Sequence, residues 1–155
     1  MMAYQFKGKT FEDFSVGNEF STASRTITEA DVVHFAGLSG DFNPLHTDQT
    51  FAKDTPFQGR VAHGLLGVAV ASGLVSQLGI FEGTTVALLS MEISYRAAIL
   101  FGDTIHVRMK VVEKKELSKP DCGVVTFSTD VINQRDEVVT AGKWVVALTR
   151  RKPKS

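Results

Sequence analysis

The fold predicted for this 155-residue sequence is α+β: an antiparallel β-sheet wrapped around one long central helix. Three observations predict it. Four long runs in the second half are rich in Val, Ile, Thr and aromatic residues. The turns between them are hairpin-length, which favours antiparallel neighbours. Only one segment, Val61 to Ile80, is long and apolar enough to cover such a sheet, and a sheet over one helix is an α+β layer solution.

The elements follow in chain order. Phe20 to Ile27 is strand-like. Thr28-Glu29-Ala30-Asp31 has the form of a capping box, a hydroxyl at the N-cap and a carboxylate three residues on. Val32, Val33, Phe35, Ala36 and Leu38 then recur at helical spacing, and Ser39-Gly40 ends that helix. Asp41 to His46 is expected to be non-helical, because Pro44 disfavours the helical region for Asn43. Asp48 can cap a short helix through Ala52. After a loop holding Pro56 and Gly59, the apolar helix is expected from about Ala62 to Leu78, ended by Gly79. The strands are Thr85 to Tyr95, Thr104 to Glu116, Gly123 to Ile132 and Val138 to Arg150. Gly102-Asp103, Lys119-Pro120-Asp121 and Gln134-Arg135-Asp136 supply turns. Residues 1–155 form one domain, with a loose basic tail at 150–155.

Composition narrows the function. Hydrophobic residues are 43% and charged residues 22%, ordinary values for a globular chain, which argues against disorder. Lys plus Arg equals Asp plus Glu at 17 each, so no basic excess points to nucleic acid. Cys122 is alone and has no intramolecular partner, which fits a reducing, cytoplasmic setting. Met1 to Phe14 has no apolar stretch of the secretory kind. Val61 to Ile80 has the length of a membrane span, but its four glycines and its His63, Ser72, Ser76 and Gln77 make it a poor one. A helix buried in a soluble domain accounts for it better. The open edges of the sheet favour pairing of two copies into a homodimer or a larger oligomer built from dimers.

Two clusters carry chemistry. In Gly40-Asp41-Phe42-Asn43-Pro44-Leu45-His46, an acid and an imidazole sit five residues apart on a constrained loop. Such a pair suits general acid–base work. In Val61-Ala62-His63-Gly64, the glycine falls in the first helical turn, where backbone N–H groups lack intrahelical partners. A substrate oxygen can approach a glycine amide closely, and the positive helix end favours developing negative charge there.

The string Leu38 to Asp48, then Phe51-Ala52 and Val61-Ala62-His63-Gly64-Leu65, resembles the MaoC-like dehydratases, which include the (R)-specific enoyl-CoA hydratases. The resemblance is densest over about forty residues of the first half, and the order of elements fits across nearly the whole chain. It implies the hot-dog fold. It implies Asp41 and His46 as catalytic residues and the Gly64 amide as the oxyanion donor. Asn43 falls on the same loop. Ser72 matches a serine that helps hold the catalytic group in some hydratases. The implied reaction is reversible syn hydration of a trans-2-enoyl thioester to the (R)-3-hydroxyacyl thioester. One water is held between Asp41 and His46, and one of the pair takes a proton while the other delivers one. No metal or redox cofactor is implied; coenzyme A or acyl carrier protein is part of the substrate. Where many relatives carry Pro-Val before the later Gly-Asp, this chain has Ala98-Ile99, a departure that bears on the shape of the acyl pocket.

Other readings compete. Asp41 could simply cap a turn, and His46 could be a satisfied loop histidine. Asp41, His46 and His63 have the composition of a metal site, but the expectation is that none is held and that His63 hydrogen-bonds near the helix start. His34 reads as structural, and His106 and Cys122 carry no assignment. A Ser-His-Asp triad lacks the Gly-x-Ser-x-Gly elbow. At the level of function, the rivals are an acyl-thioester hydrolase on the same fold and a non-catalytic acyl-binding subunit of a hydratase assembly.

Overall fold

The computed structural model describes residues 4–117 and 121–151. Its elements are β1 (Glu19–Ser21), β2 (Arg25–Thr26), α1 (Glu29–Ser39), α2 (Pro44–Thr47), α3 (Gln49–Lys53), α4 (Gly64–Gln77), β3 (Thr85–Tyr95), β4 (Thr104–Glu116), β5 (Cys122–Ile132) and β6 (Val138–Thr149). The sheet runs β1–β4–β5–β6–β3, with β2 also pairing β4, and every pairing is antiparallel. The expected α+β arrangement is present.

Period-two patterning places the core. Along β4, Ile105, Val107, Met109 and Val111 are buried, while Arg108 and Lys110 face solvent. Helix α4 turns Leu66, Val70, Ala71, Leu74 and Val75 into the same hydrophobic cluster. Removing that much apolar surface from water is the main favourable contribution to the fold. Phe11 and Phe14, just ahead of β1, also belong to this core, and the Phe14 ring lies 5.6 Å from that of Phe127 and 6.1 Å from that of Phe81. Nothing in their spacing announces this, because they lie in a 3-10 turn and its exit rather than in a periodic element.

Several expectations need correction. The single strand over Phe20 to Ile27 is two short strands. Between them Thr22 leaves strand geometry, its N–H donating to the Val107 carbonyl and its hydroxyl accepting from the Val107 N–H. The segment Asp41 to His46 is not wholly non-helical. Asn43 is extended, as the following proline requires, but Pro44 then opens a one-turn helix that carries His46, since its fixed φ suits a first helical position. In α1 only Val32 and Ala36 are buried; Leu38 is 85% exposed and Val33 is exposed too. Helix α4 starts at Gly64 rather than Ala62, because Val61 instead forms an isolated antiparallel bridge with Leu100. The β3–β4 connection does not make a hairpin: β3 pairs β6 and forms an edge of the sheet. The tail is not loose where it is described. The Arg150 Nε donates to Glu12 at 2.9 Å and Arg151 pairs with Asp13. The expected turn residues Lys119 and Pro120, and the tail from 152, lie outside the described residues.

One buried carboxylate ties the sheet to the chain between β3 and β4. Asp103 is 3% exposed and accepts from Arg135 Nη1 at 2.8 Å, Gln134 Nε2 at 2.6 Å and the Leu100 N–H at 2.9 Å. Burial alone would raise its pKa, but the hydrogen bonds from Arg135, Gln134 and Leu100 outweigh burial and hold it below the ordinary value. A lowered folded pKa contributes stability that is present above the unfolded value, about pH 4, and lost as pH falls through the folded value. Asp103→Asn is therefore expected to unfold at lower urea concentration than the wild type near neutrality. The gap between the two should narrow below about pH 4; urea titrations across that range check it, and a constant gap would contradict it.

Candidate active site

The local sequence builds the loop that carries Asp41 and His46 in three steps. The capping box holds the start of α1: the Asp31 N–H donates to the Thr28 hydroxyl at 3.2 Å, and the Thr28 N–H donates to the Asp31 carboxylate at 2.8 Å. At the other end Gly40 adopts φ 77°, the left-handed conformation that lets the chain leave the helix without strain. Two successive side-chain turns then set the path. The Asn43 N–H donates to Asp41 Oδ1 at 3.2 Å, and the Leu45 N–H donates to Asn43 Oδ1 at 3.0 Å. Asn43 is thus the N-cap of the one-turn helix α2 that presents His46.

Backbone carbonyls orient both imidazoles. His46 Nδ1 lies 2.8 Å from the Val61 carbonyl, and His63 Nε2 lies 2.9 Å from the Asp41 carbonyl. A carbonyl can only accept, so each of these nitrogens carries the proton. His46 Nε2 is therefore left as the ring nitrogen without that proton. The two rings stack with centroids 3.8 Å apart and planes 30° apart, and Phe35 backs His63 at 5.0 Å. His63, 3% exposed, is pinned near the helix start as expected, and it holds the backbone of Asp41.

Asp41, His46, His63 and Gly64 line one cavity of about 640 Å³, together with Tyr95 and Ile99. Gly64 is the first residue of α4, and among the described residues its N–H has no backbone acceptor. A Cβ at Gly64 would lie 2.6 Å from the Tyr95 ring, so a larger residue here requires that ring to shift. Ser72 is not brought to this group. It lies two turns along α4, on the wall of a second cavity of about 980 Å³ between α4 and β3. The two cavities share Phe35 and Leu65.

Asp41, His46 and His63 offer ligand atoms within 4.8 Å of one another. One nitrogen of each ring lies against a carbonyl, which leaves His46 Nε2 and the buried His63 Nδ1 as the other ring nitrogens of this group. An acid and an imidazole lining one cavity with the first residue of a helix are equipped for proton transfer next to a polarised carbonyl.

A sequence profile described as "MaoC like domain" matches residues 13–133. This chain belongs to the MaoC-like dehydratase family. The MaoC-like chain is 33% identical over 125 residues to a protein named (R)-specific enoyl-CoA hydratase from Aeromonas caviae, covering 81% of this chain and 89% of that one. It is 31% identical over 141 residues to a protein of the same name from Rhodospirillum rubrum, covering 91% and 92%. Among solved structures, the (R)-hydratase of A. caviae superposes with TM-score 0.74 at 30% identity, over 87% of this chain and 97% of that one. A Mycobacterium tuberculosis protein described as a double hot-dog superposes with TM-score 0.81 at 21% identity, over 97% of this chain and 48% of that one. The MaoC-like chain thus has the hot-dog fold. Among its described residues no helix is long and apolar enough to cross a membrane.

Two features of this MaoC-like site were beyond sequence reasoning. The Val61 carbonyl is a backbone group, and no side-chain pattern marks it. Tyr95 ends β3, and only the tertiary fold brings its ring over the start of α4. Gly64→Ala should therefore cost about 1–3 kcal/mol of stability by crowding the Tyr95 ring. The cost should vanish in a Tyr95→Ala background, and chemical denaturation of both pairs checks it.

Proposed function

We propose that this chain catalyses the reversible syn hydration of a trans-2-enoyl thioester to the (R)-3-hydroxyacyl thioester. The observation that carries this reading is that Asp41, His46 and Gly64 line one cavity, with a carboxylate oxygen of Asp41 and a ring nitrogen of His46 within 4.8 Å of each other. In this reading a water donates one hydrogen to Asp41 and the other to His46 Nε2. As its oxygen bonds to C3, His46 Nε2 takes the proton and the C2–C3 double bond becomes an enolate. The Gly64 N–H donates to the thioester oxygen as charge gathers there. The protonated His46 Nε2 then delivers that proton to C2 from the same face, which leaves His46 neutral and completes the addition of water, while Asp41 holds the water through its other hydrogen. The steps need no metal or redox cofactor. The carrier is coenzyme A or acyl carrier protein, outside the cavity, and the setting is cytoplasmic.

The reaction predicts its own test. Crotonyl-CoA should lose its enoyl absorbance and yield (R)-3-hydroxybutyryl-CoA on chiral analysis. Asp41→Asn and His46→Gln should each lower kcat by about 10²–10⁴, the usual worth of a positioned acid or base. Release of free coenzyme A would make the chain a hydrolase. No turnover of any enoyl thioester would make it a binding subunit, and near-normal hydration by Asp41→Asn would remove the assignment.

A homodimer through β3 completes the reading. Val86, Leu88 and Leu89 on this edge strand are each more than half exposed, and among the described residues the strand's outer side has no partner. Light scattering should give twice 16.9 kDa, and Leu88→Glu should shift the protein toward the monomer; a monomeric wild type contradicts it.

A further inference from the structure

The proton-bearing nitrogen of His46 depends on the position of one carbonyl, that of Val61. Val61 is outside every helix and strand of the fold, held by an isolated bridge to Leu100 and by its N–H, which donates to the Leu45 carbonyl at 3.3 Å. The next residue, Ala62, donates its N–H to the Ile99 carbonyl at 2.9 Å. Ile99 and Leu100 therefore form the rail on which Val61 and Ala62 sit. That rail is irregular chain between β3 and β4, with little sheet bonding of its own.

Asp103 fixes the rail. Its carboxylate accepts from the Leu100 N–H at 2.9 Å, and its own N–H donates to the Leu100 carbonyl at 3.1 Å. Its backbone carbonyl accepts from the Ile27 N–H at 2.8 Å, which anchors the same turn to the chain just before α1. The carboxylate is in turn clamped from the β5–β6 turn. Arg135 reaches it with both terminal nitrogens, Nη1 to Oδ1 at 2.8 Å and Nη2 to Oδ2 at 3.4 Å, a two-pronged grip that a lysine does not reproduce. The Arg135 Nε is itself held by Glu137 at 2.9 Å, and Glu137 accepts from Asn133 Nδ2 at 2.7 Å. Gln134 bridges the same two segments: its Nε2 donates to Asp103 and its Oε1 accepts from the Thr104 N–H.

We propose that Asp103 and Arg135 are positioning residues for His46: their ion pair fixes the Leu100 turn, and through it the Val61 carbonyl that sets the tautomer of the catalytic imidazole. The inference rests on the reading of His46 as the proton-transferring group. A histidine whose orienting partner is lost rotates or takes the other tautomer, and activity falls although the ring remains. The pair touches neither substrate nor cavity, so its effect belongs in kcat and in the state of the ring, not in substrate affinity.

The test reads the tautomer directly. A long-range proton–nitrogen NMR spectrum should assign wild-type His46 to the Nδ1–H form. In Arg135→Ala, with folding verified by circular dichroism, the Nε2–H form should appear at His46. The same variant should lose about tenfold to a hundredfold in kcat with KM little changed, the usual cost of removing a group that fixes a histidine's tautomer. Arg135→Lys should recover part of both. Arg108→Ala, which breaks the exposed pair between β4 and Asp130 of β5, should change neither. If Arg135→Ala fails to fold, Arg135→Lys carries both readouts. A folded variant with the wild-type His46 tautomer overturns the inference. A wild type inactive on every enoyl thioester would overturn the proposed reaction instead, and the tautomer measurement would still decide the positioning role.

Discussion

The structure turns on two hydrogen bonds from imidazole rings to main-chain carbonyls. His46 donates to Val61 across 15 residues, and His63 donates to Asp41 across 22. Together they lace the loop after α1 to the start of α4. Each bond satisfies a polar group that burial would otherwise leave costly, and each fixes which ring nitrogen is bare. The stacking of the two rings follows from this lacing, since neither can turn without breaking its bond. Among the described residues Asp41 has no ion partner; its place comes from Ser39, Asn43 and His63 around its backbone and carboxylate.

The rest of the molecule supplies rigidity to that lacing. Helix α4 offers its first amide to the cavity only because the remainder of the helix is buried under the sheet. Five of its apolar side chains share the cluster with β4, β5 and β6, so sliding the helix start would disturb the whole core. Phe11 and Phe14 are buried in the same cluster, Phe14 against Phe81 and Phe127. The site is thereby placed at one end of the helix, with well-packed apolar contacts behind it and an open mouth in front.

Much of this was legible in the sequence because it is local. The Thr28–Asp31 box, the Gly40 exit and the Asp48 cap each involve residues within a few positions of one another, and all three occur as read. The limits of β3 and β4 match the expected runs residue for residue, because β-branched and aromatic composition between turns, joined along β4 by period-two alternation, defines a strand without reference to its partner. Pairing order was not legible, since alternation says that a strand has two faces and not which neighbour it takes; hence β3 lies beside β6. In the site, Asp41, His46, His63 and Gly64 line one cavity, whereas Ser72, carried over from the resemblance to some hydratases, lines another. The one-turn helix beneath His46 was missed because proline's effect on the preceding residue was weighed and its fitness for a helix start was not.

A clasp joins the 3-10 turn before β1 to the exit of β6. Glu12 holds both the Arg150 side chain and the Arg151 N–H, and Asp13 holds Arg151. Residues more than a hundred positions apart are thus neighbours, and the same turn carries Phe11, with the Arg150 guanidinium 5.5 Å from its ring. Loosening either partner would therefore free a polar seam and a core aromatic together.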